Sequence, residues 1–209
     1  MRKALSEVLR PADLDDLMQP AKIVASLKRM VKQEQPINML FYGAPSVGKT
    51  TAARILLKQL GDNSVTLNGS LDNGVDVVRK LEAASTNCGI GDGPRVFFID
   101  EAEYLSAQAQ AGLRVLIEKA ATSRFVLAAN DISKFHPALK SRCLPICFDI
   151  SVSDAEAVIG RLLLRYRARL KAVGIQIDDA RLSELLHVYF PDLRAFSNAV
   201  EFEVGGTAD

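Results

Sequence analysis

Gly43-Ala44-Pro45-Ser46-Val47-Gly48-Lys49-Thr50 reads G-x-x-x-x-G-K-T, the pattern of a loop that cradles phosphates. Its flanks fit that reading. Ile37 to Tyr42 is a short apolar run of strand type, and after the loop Ala52, Ala53, Leu56, Leu57 and Leu60 recur at helical spacing up to Gly61. Strand, glycine loop and helix together aim a helix N-terminus and successive backbone N–H groups at phosphate oxygens. Gly43 and Gly48 let the backbone turn and approach closely. Ala44, Pro45, Ser46, Val47 and Thr51 fill out the cradle. Lys49 would reach the outer phosphates, and the Thr50 hydroxyl would hold magnesium. ATP with Mg2+ is the expected ligand.

The second half of such a site is a strand ending in acids. Arg95-Val96-Phe97-Phe98-Ile99-Asp100-Glu101 is a continuous apolar run closed by two carboxylates, and a run apolar on both faces suits a central parallel strand. Asp100 would serve the magnesium shell, and Glu101 would orient and polarise the attacking water. Neighbouring side chains on a strand point opposite ways, but at its end the next residue can turn into the site. A helix-start acid pair is the plain alternative, and the loop weighs against it. Arg124 to Asn130 is a further strand, and Asn130 would bond the same water or the terminal phosphate; a strand-end turn residue is its alternative. Arg142, beyond another short helix near Pro137-Ala138-Leu139, is placed to serve a neighbouring subunit's site rather than its own. Its alternative is an ordinary salt bridge.

Strands alternate with helices through the first 150 residues. Val65 to Asn68 is a strand, Val75 to Ser85 a helix with Val78 and Leu81 inward, and Ala107 to Ala121 a helix. Leu144 to Phe148 is the last strand. The alternation gives an α/β parallel sheet, whose ligands gather beyond the strand carboxyl ends; Gly43, Asn68, Asp100 and Asn130 all fall there. Before the first strand, Leu9 to Met18 reads as an extended entry and short turn. Ala21 to Val31 is a helix that Pro36 ends, with Ile23, Val24, Leu27 and Val31 on one face. Its cations Lys22, Lys28, Arg29 and Lys32 read as a solvated face. Gly89, Gly91, Asp92, Gly93 and Pro94 form a loop. After Asp149 the pattern turns wholly helical. Ser153 or Asp154 caps a helix through Val173, with Val158, Ile159, Leu162, Leu163, Tyr166, Leu170 and Val173 apolar and Gly174 as its stop. Asp178 to Tyr189 and Leu193 to Val204 follow. The expected domains are residues 1–150 and 151–209.

The 209 residues are 48% hydrophobic and 24% charged, enough for a core and a soluble surface. There is no apolar run long enough to span a bilayer and no signal-peptide core at Met1 to Glu7. No membrane role is expected, and a soluble, intracellular, cytoplasmic protein is. A net charge of +1 excludes a polycation, so nucleic-acid binding must come from a local patch or from several subunits together. Cys88, Cys143 and Cys147 are odd in number with no C-x-x-C, which argues against a disulfide framework or a zinc ribbon.

The loop, Asp100-Glu101, Asn130 and Ser141-Arg142-Cys143 occur in the order of the AAA+ ATPases. The Ser-Arg-Cys triplet narrows the resemblance to sliding-clamp loader subunits. Leu9-Arg10-Pro11 resembles their N-terminal entry and Leu67-Asn68-Gly69-Ser70 their second strand. Phe190-Pro191-Asp192-Leu193-Arg194 looks most like the large subunit of phage-type clamp loaders. The lack of a cysteine-rich zinc insertion also favours the phage or the archaeal and eukaryotic side, with its replication factor C small subunits. The resemblance covers about residues 5 to 204. It implies an AAA+ domain with a small helical lid and an ATPase that opens a ring-shaped sliding clamp and grips primer–template DNA, hydrolysis releasing both. It also implies partner subunits, a pentamer in the family, in a bacterial or phage-infected cell. Residue by residue, it implies Asn130 as first sensor, Arg142 as a finger in trans, Arg194 as second sensor, Arg10 and Pro11 with Met18 and Pro20 bordering adenine, and Arg79, Lys80 and Arg114 facing DNA. The family's helical collar has no counterpart before Asp209, so the chain reads as truncated or as a shortened relative. A helicase loader, a branch-migration motor or a non-hydrolysing clamp loader subunit are the alternatives.

Overall fold

The computed structural model describes residues 4–32, 37–60, 64–86, 95–120 and 123–205. The expectations for Pro36, Gly61, Cys88, the loop from Gly89 to Pro94, Ala121 and Met1 to Lys3 lie outside them. In chain order the elements are α1 (Leu5–Val8), α2 (Ala21–Lys32), β1 (Met39–Tyr42), α3 (Lys49–Leu60), β2 (Ser64–Asn68), α4 (Val75–Thr86), β3 (Arg95–Asp100), α5 (Ala107–Lys119), β4 (Ser123–Ala129), α6 (Pro137–Lys140), β5 (Leu144–Cys147), α7 (Val152–Ala172), α8 (Asp179–Tyr189) and α9 (Leu193–Gly205). Packing divides the chain into two units: residues 25–44 with 49–149, and residues 1–24 with 45–48 and 150–209. The described residues up to Val24 pack with the helical segment.

The first unit is a five-stranded parallel sheet in the order β2-β3-β4-β1-β5. Strands β3 and β4 are interior and apolar on both faces, as double burial requires. Phe97, Phe98, Ile99, Phe125, Val126 and Leu127 are completely buried, and the Phe97 and Phe125 rings stack at 5.2 Å. Pro145 sits on β5, an edge strand, where its missing N–H costs no interior ladder bond. Strands β1 and β4 are neighbours with Tyr42 opposite Ala129, and β3 lies on the other side of β4. Gly43, Asn130 and Asp100 thus leave adjacent strands at the same carboxyl edge. Leu81, Ala109, Leu113 and Leu116 of α4 and α5 are buried in the core beneath that edge.

In the helical unit, α7 begins two residues before the expected start. The Ser151 hydroxyl, not Ser153 or Asp154, caps it by accepting the Asp154 N–H. Val158, Ile159, Leu162, Tyr166 and Leu170 are buried as expected, whereas Leu163 is half-buried and Val173 is exposed at the helix end. Gly174 stops the helix with φ +74°. The polar face of α7 has a task that the periodicity hid. Arg161, Arg165 and Arg169, four residues apart, donate to the carbonyls of Gln19, Asp15, and Leu9 with Arg10, and the last two arginines also pair with Asp16. This clasp satisfies carbonyls within and on either side of the 3-10 turn Leu14–Asp16, where no regular helix or strand would pair them.

Candidate nucleotide-binding site

The loop after β1 curls through three left-handed residues, Gly43 (φ +139°), Ser46 (φ +64°) and Gly48 (φ +95°). Gly43 is required twice over. Its φ suits glycine, and a Cβ there would lie 2.7 Å from Asp149 Oδ1. That carboxylate accepts the Ala44 N–H at 2.6 Å, a loop contact not foreseen from sequence. Lys49 opens α3 and is only 8% exposed. Its ammonium donates to Gly43 O and Ala44 O, both at 2.7 Å, and to Asn130 Oδ1 at 2.9 Å. Burial lowers the Lys49 pKa, opposed by the charges of Glu103, Asp149 and Asp100. A buried cation held by weak neutral acceptors and distant carboxylates suits an incoming polyanion.

Thr50 and Asp100, expected to share a metal, touch: Thr50 Oγ1 donates to Asp100 Oδ2 at 2.9 Å. A hydroxyl and a carboxylate are hard oxygen donors of the kind Mg2+ takes. No cluster of three or more metal-ligating His, Cys, Asp or Glu side chains occurs among the described residues. One hydroxyl and one carboxylate fit a magnesium that would arrive with phosphates and keep its water. Glu101 takes the left-handed conformation (φ +52°, ψ +37°), uncommon for a residue with a Cβ. It leaves the strand as expected and starts a 3-10 turn, Ala102–Tyr104. Gly69 packs against this turn. Its N–H donates to Asp100 O at 2.8 Å, and a Cβ at Gly69 would lie 2.7 Å from Glu101 O.

The turn also buries Glu103, a residue that sequence reasoning missed. Glu103 is 6% exposed, and its Oε1 accepts both the backbone N–H of Asn130, at 3.0 Å, and its Nδ2, at 2.8 Å. Asn130 is thus bound on one side to Glu103 and on the other to Lys49. The signal was present in Asp100-Glu101-Ala102-Glu103, a third acid in a short run, but its partner is distant in sequence.

Lys49, Thr50, Asp100, Glu101 and Asn130 belong to one edge; the other expected residues do not all join them. Arg142 donates to Ala138 O at 2.5 Å and pairs with Glu118 of α5, the salt bridge of its plainer reading. Arg194 is exposed in the first turn of α9, its N–H on Asp192 Oδ1. In the same unit Arg10 is exposed and Pro11 half-buried. The side chain of Gln19 donates to Val47 O at 3.3 Å. The Asp192 carboxyl is held below its ordinary pKa by the Ala195 N–H, then by the Ser46 hydroxyl and the Arg194 N–H. Arg79 and Lys80 are each offset by an aspartate, Asp76 and Asp72. Arg114 lines a cleft of about 540 Å³ with Lys134 and His136, and its buried Nε has no hydrogen-bond partner among the described residues.

Loop, acid pair and asparagine on one carboxyl edge define a phosphate-loop nucleotide-binding protein. The chain belongs to the ATPase family associated with various cellular activities (AAA), whose model matches residues 39–149. That membership carries nucleotide binding with it. The chain is similar to the replication factor C small subunit of Methanococcus vannielii, 33% identical over 96% of this chain and 64% of that one. It is also similar to that of Methanococcus maripaludis, 39% identical over 96% and 64%, and to that of Archaeoglobus fulgidus, 32% identical over 93% and 62%. It thus spans a little under two thirds of the length of these archaeal relatives. The Holliday junction branch migration motor RuvB of Thermotoga maritima shares the fold, with a TM-score of 0.64 at 19% identity over 94% of this chain and 73% of that one. No helix among the described residues is long and apolar enough to cross a membrane.

Proposed function

We propose that this chain is an ATPase subunit of a DNA sliding-clamp loader. The observation that carries the ATPase reading is the contact set at the sheet edge, Lys49 on Asn130 and Thr50 on Asp100. The similarity to replication factor C small subunits supports the clamp loader over other DNA-associated members of the family. Bound ATP with Mg2+ would supply the scissile phosphoanhydride and the charge that screens it. The chain's own part is to hold and aim. The loop from Gly43 to Thr51 encloses the phosphates, and Lys49 exchanges its carbonyl partners for phosphate oxygens. Thr50 and Asp100 fix the metal side. Glu101 accepts a hydrogen bond from the attacking water, and Asn130 orients that water or the outer phosphate. Arg10 and Pro11 border the base, and Arg194 contacts phosphate in the same chain's site. Arg142 leaves Glu118 to complete a neighbouring subunit's site, and Arg114, with Arg79 and Lys80, faces DNA phosphates. Residues 1–150 act as the nucleotide-binding domain and 151–209 as the lid.

The partners are further subunits, a ring-shaped clamp and primer–template DNA. Phosphate release by the parent chain and by Glu101→Gln tests the reading. Glu101→Gln keeps the shape of the site and loses the water-orienting charge, so nucleotide binding persists while turnover falls by about a hundredfold or more. Equal turnover in the two proteins removes Glu101 from this role. The intact Lys49, Thr50, Asp100 and Glu101 favour hydrolysis over a purely structural subunit.

A further inference from the structure

We propose that Glu103 is a positioning residue that fixes which way the Asn130 amide faces. The inference rests on the ATPase reading of this site. An asparagine amide has two orientations related by a half turn, one end donating and the other accepting. Here Oδ1 accepts from Lys49 Nζ at 2.9 Å, while Nδ2 donates to Glu103 Oε1 at 2.8 Å. The reversed amide would set its NH2 against an ammonium and its oxygen against a carboxylate. Lys49 and Glu103 therefore exclude it from opposite sides. The same Oε1 also accepts the Asn130 backbone N–H at 3.0 Å, so one atom sets both the main chain and the side chain. Among the described residues one hydrogen of Nδ2 is used, on Glu103, and Asn130 is exposed; the second can donate to a phosphate or water oxygen. Glu103 is buried, and its Oε2 has no hydrogen-bond partner among the described residues, an arrangement that costs stability. Among the carboxylates that favour the charged form of Lys49, Glu103 is also foremost.

The test uses Glu103→Ala and Glu103→Gln, alone and with Asn130→Ala. The readouts are single-turnover phosphate release with oligomeric protein in excess of ATP, affinity for a fluorescent ADP analogue, and hydrogen exchange of the Asn130 backbone N–H without nucleotide. Glutamine keeps an oxygen where Oε1 stands. Glu103→Ala slows phosphate release about tenfold or more, with affinity changed less than about threefold, and speeds Asn130 exchange; Glu103→Gln restores both. With Asn130→Ala already present, Glu103→Ala adds no further loss, because one residue acts through the other. Three results overturn the proposal: Glu103→Gln as slow as Glu103→Ala, the same loss with and without Asn130, or unchanged Asn130 exchange in Glu103→Ala. A parent chain that forms oligomers and still releases no phosphate refutes the ATPase reading instead, and the exchange measurement still decides whether Glu103 holds Asn130.

Discussion

Lys49 spends its three N–H donors on Gly43 O, Ala44 O and Asn130 Oδ1, so it is pre-aimed at the space the loop encloses. Lys49→Ala removes the buried charge and should weaken ADP or ATP binding on the order of a hundredfold, as measured by titration calorimetry on folded protein. Unchanged affinity would show that the loop binds no nucleotide through this residue. The cysteines make a second residue-scale test. Burial pushes the Cys143 thiol up to about 12, whereas Cys147 is half-buried beside Asp149. Iodoacetamide at pH 8 should therefore alkylate Cys147 well before Cys143, as read by peptide mapping, and equal rates would contradict the burial. That Lys49, Thr50 and Asp100 meet at one sheet edge was legible in the sequence, because a glycine loop opening a helix and an acid closing an apolar strand are local patterns of residue type and spacing. Glu103 and Asp149 were not. Their carboxylates matter through Asn130 and Ala44, partners that only the sheet order brings near.

Elements show the same division. The strands and the long helices were readable because burial imposes a period on many residues at once. The four-residue α1 is too short to carry a period, and Ser151-Val152-Ser153-Asp154 offers several candidate caps among which only the backbone chooses. Gly69 links two elements, since the turn after β2 rests on the turn after β3. Gly69→Ala should displace Glu101 and lower turnover more than nucleotide affinity, a split that comparing kcat with a binding isotherm detects. At α9, Asp192 Oδ1 accepts the N–H groups of Arg194 and Ala195. Its folded pKa is depressed, so the stabilisation is present above the unfolded carboxylate's pKa and is lost as pH falls through the folded value. Asp192→Ala should cost about 1 kcal/mol at neutral pH. The difference should shrink toward pH 3 in melts of both proteins, and a pH-independent difference would exclude the cap as its cause.

Across the whole molecule, a net charge of +1 gives a single copy little hold on DNA. Tight binding should need an ATP-loaded assembly and should fall steeply with salt as each subunit's phosphate contacts release counterions. Arg142 carries the central claim, that active sites are completed between subunits. Within the chain it is paired with Glu118, so Arg142→Ala should leave the chain's own nucleotide affinity nearly unchanged. A finger in trans adds about a thousandfold or more in rate. Neither Arg142→Ala nor Lys49→Ala should be active alone. The decisive measurement is steady-state phosphate release from an equimolar mixture of the two variants, under conditions where light scattering shows oligomers. The Lys49→Ala subunit can then lend its Arg142 to the intact loop of an Arg142→Ala neighbour. The account predicts partial recovery of activity in the mixture; oligomers that form and show no recovery would contradict it.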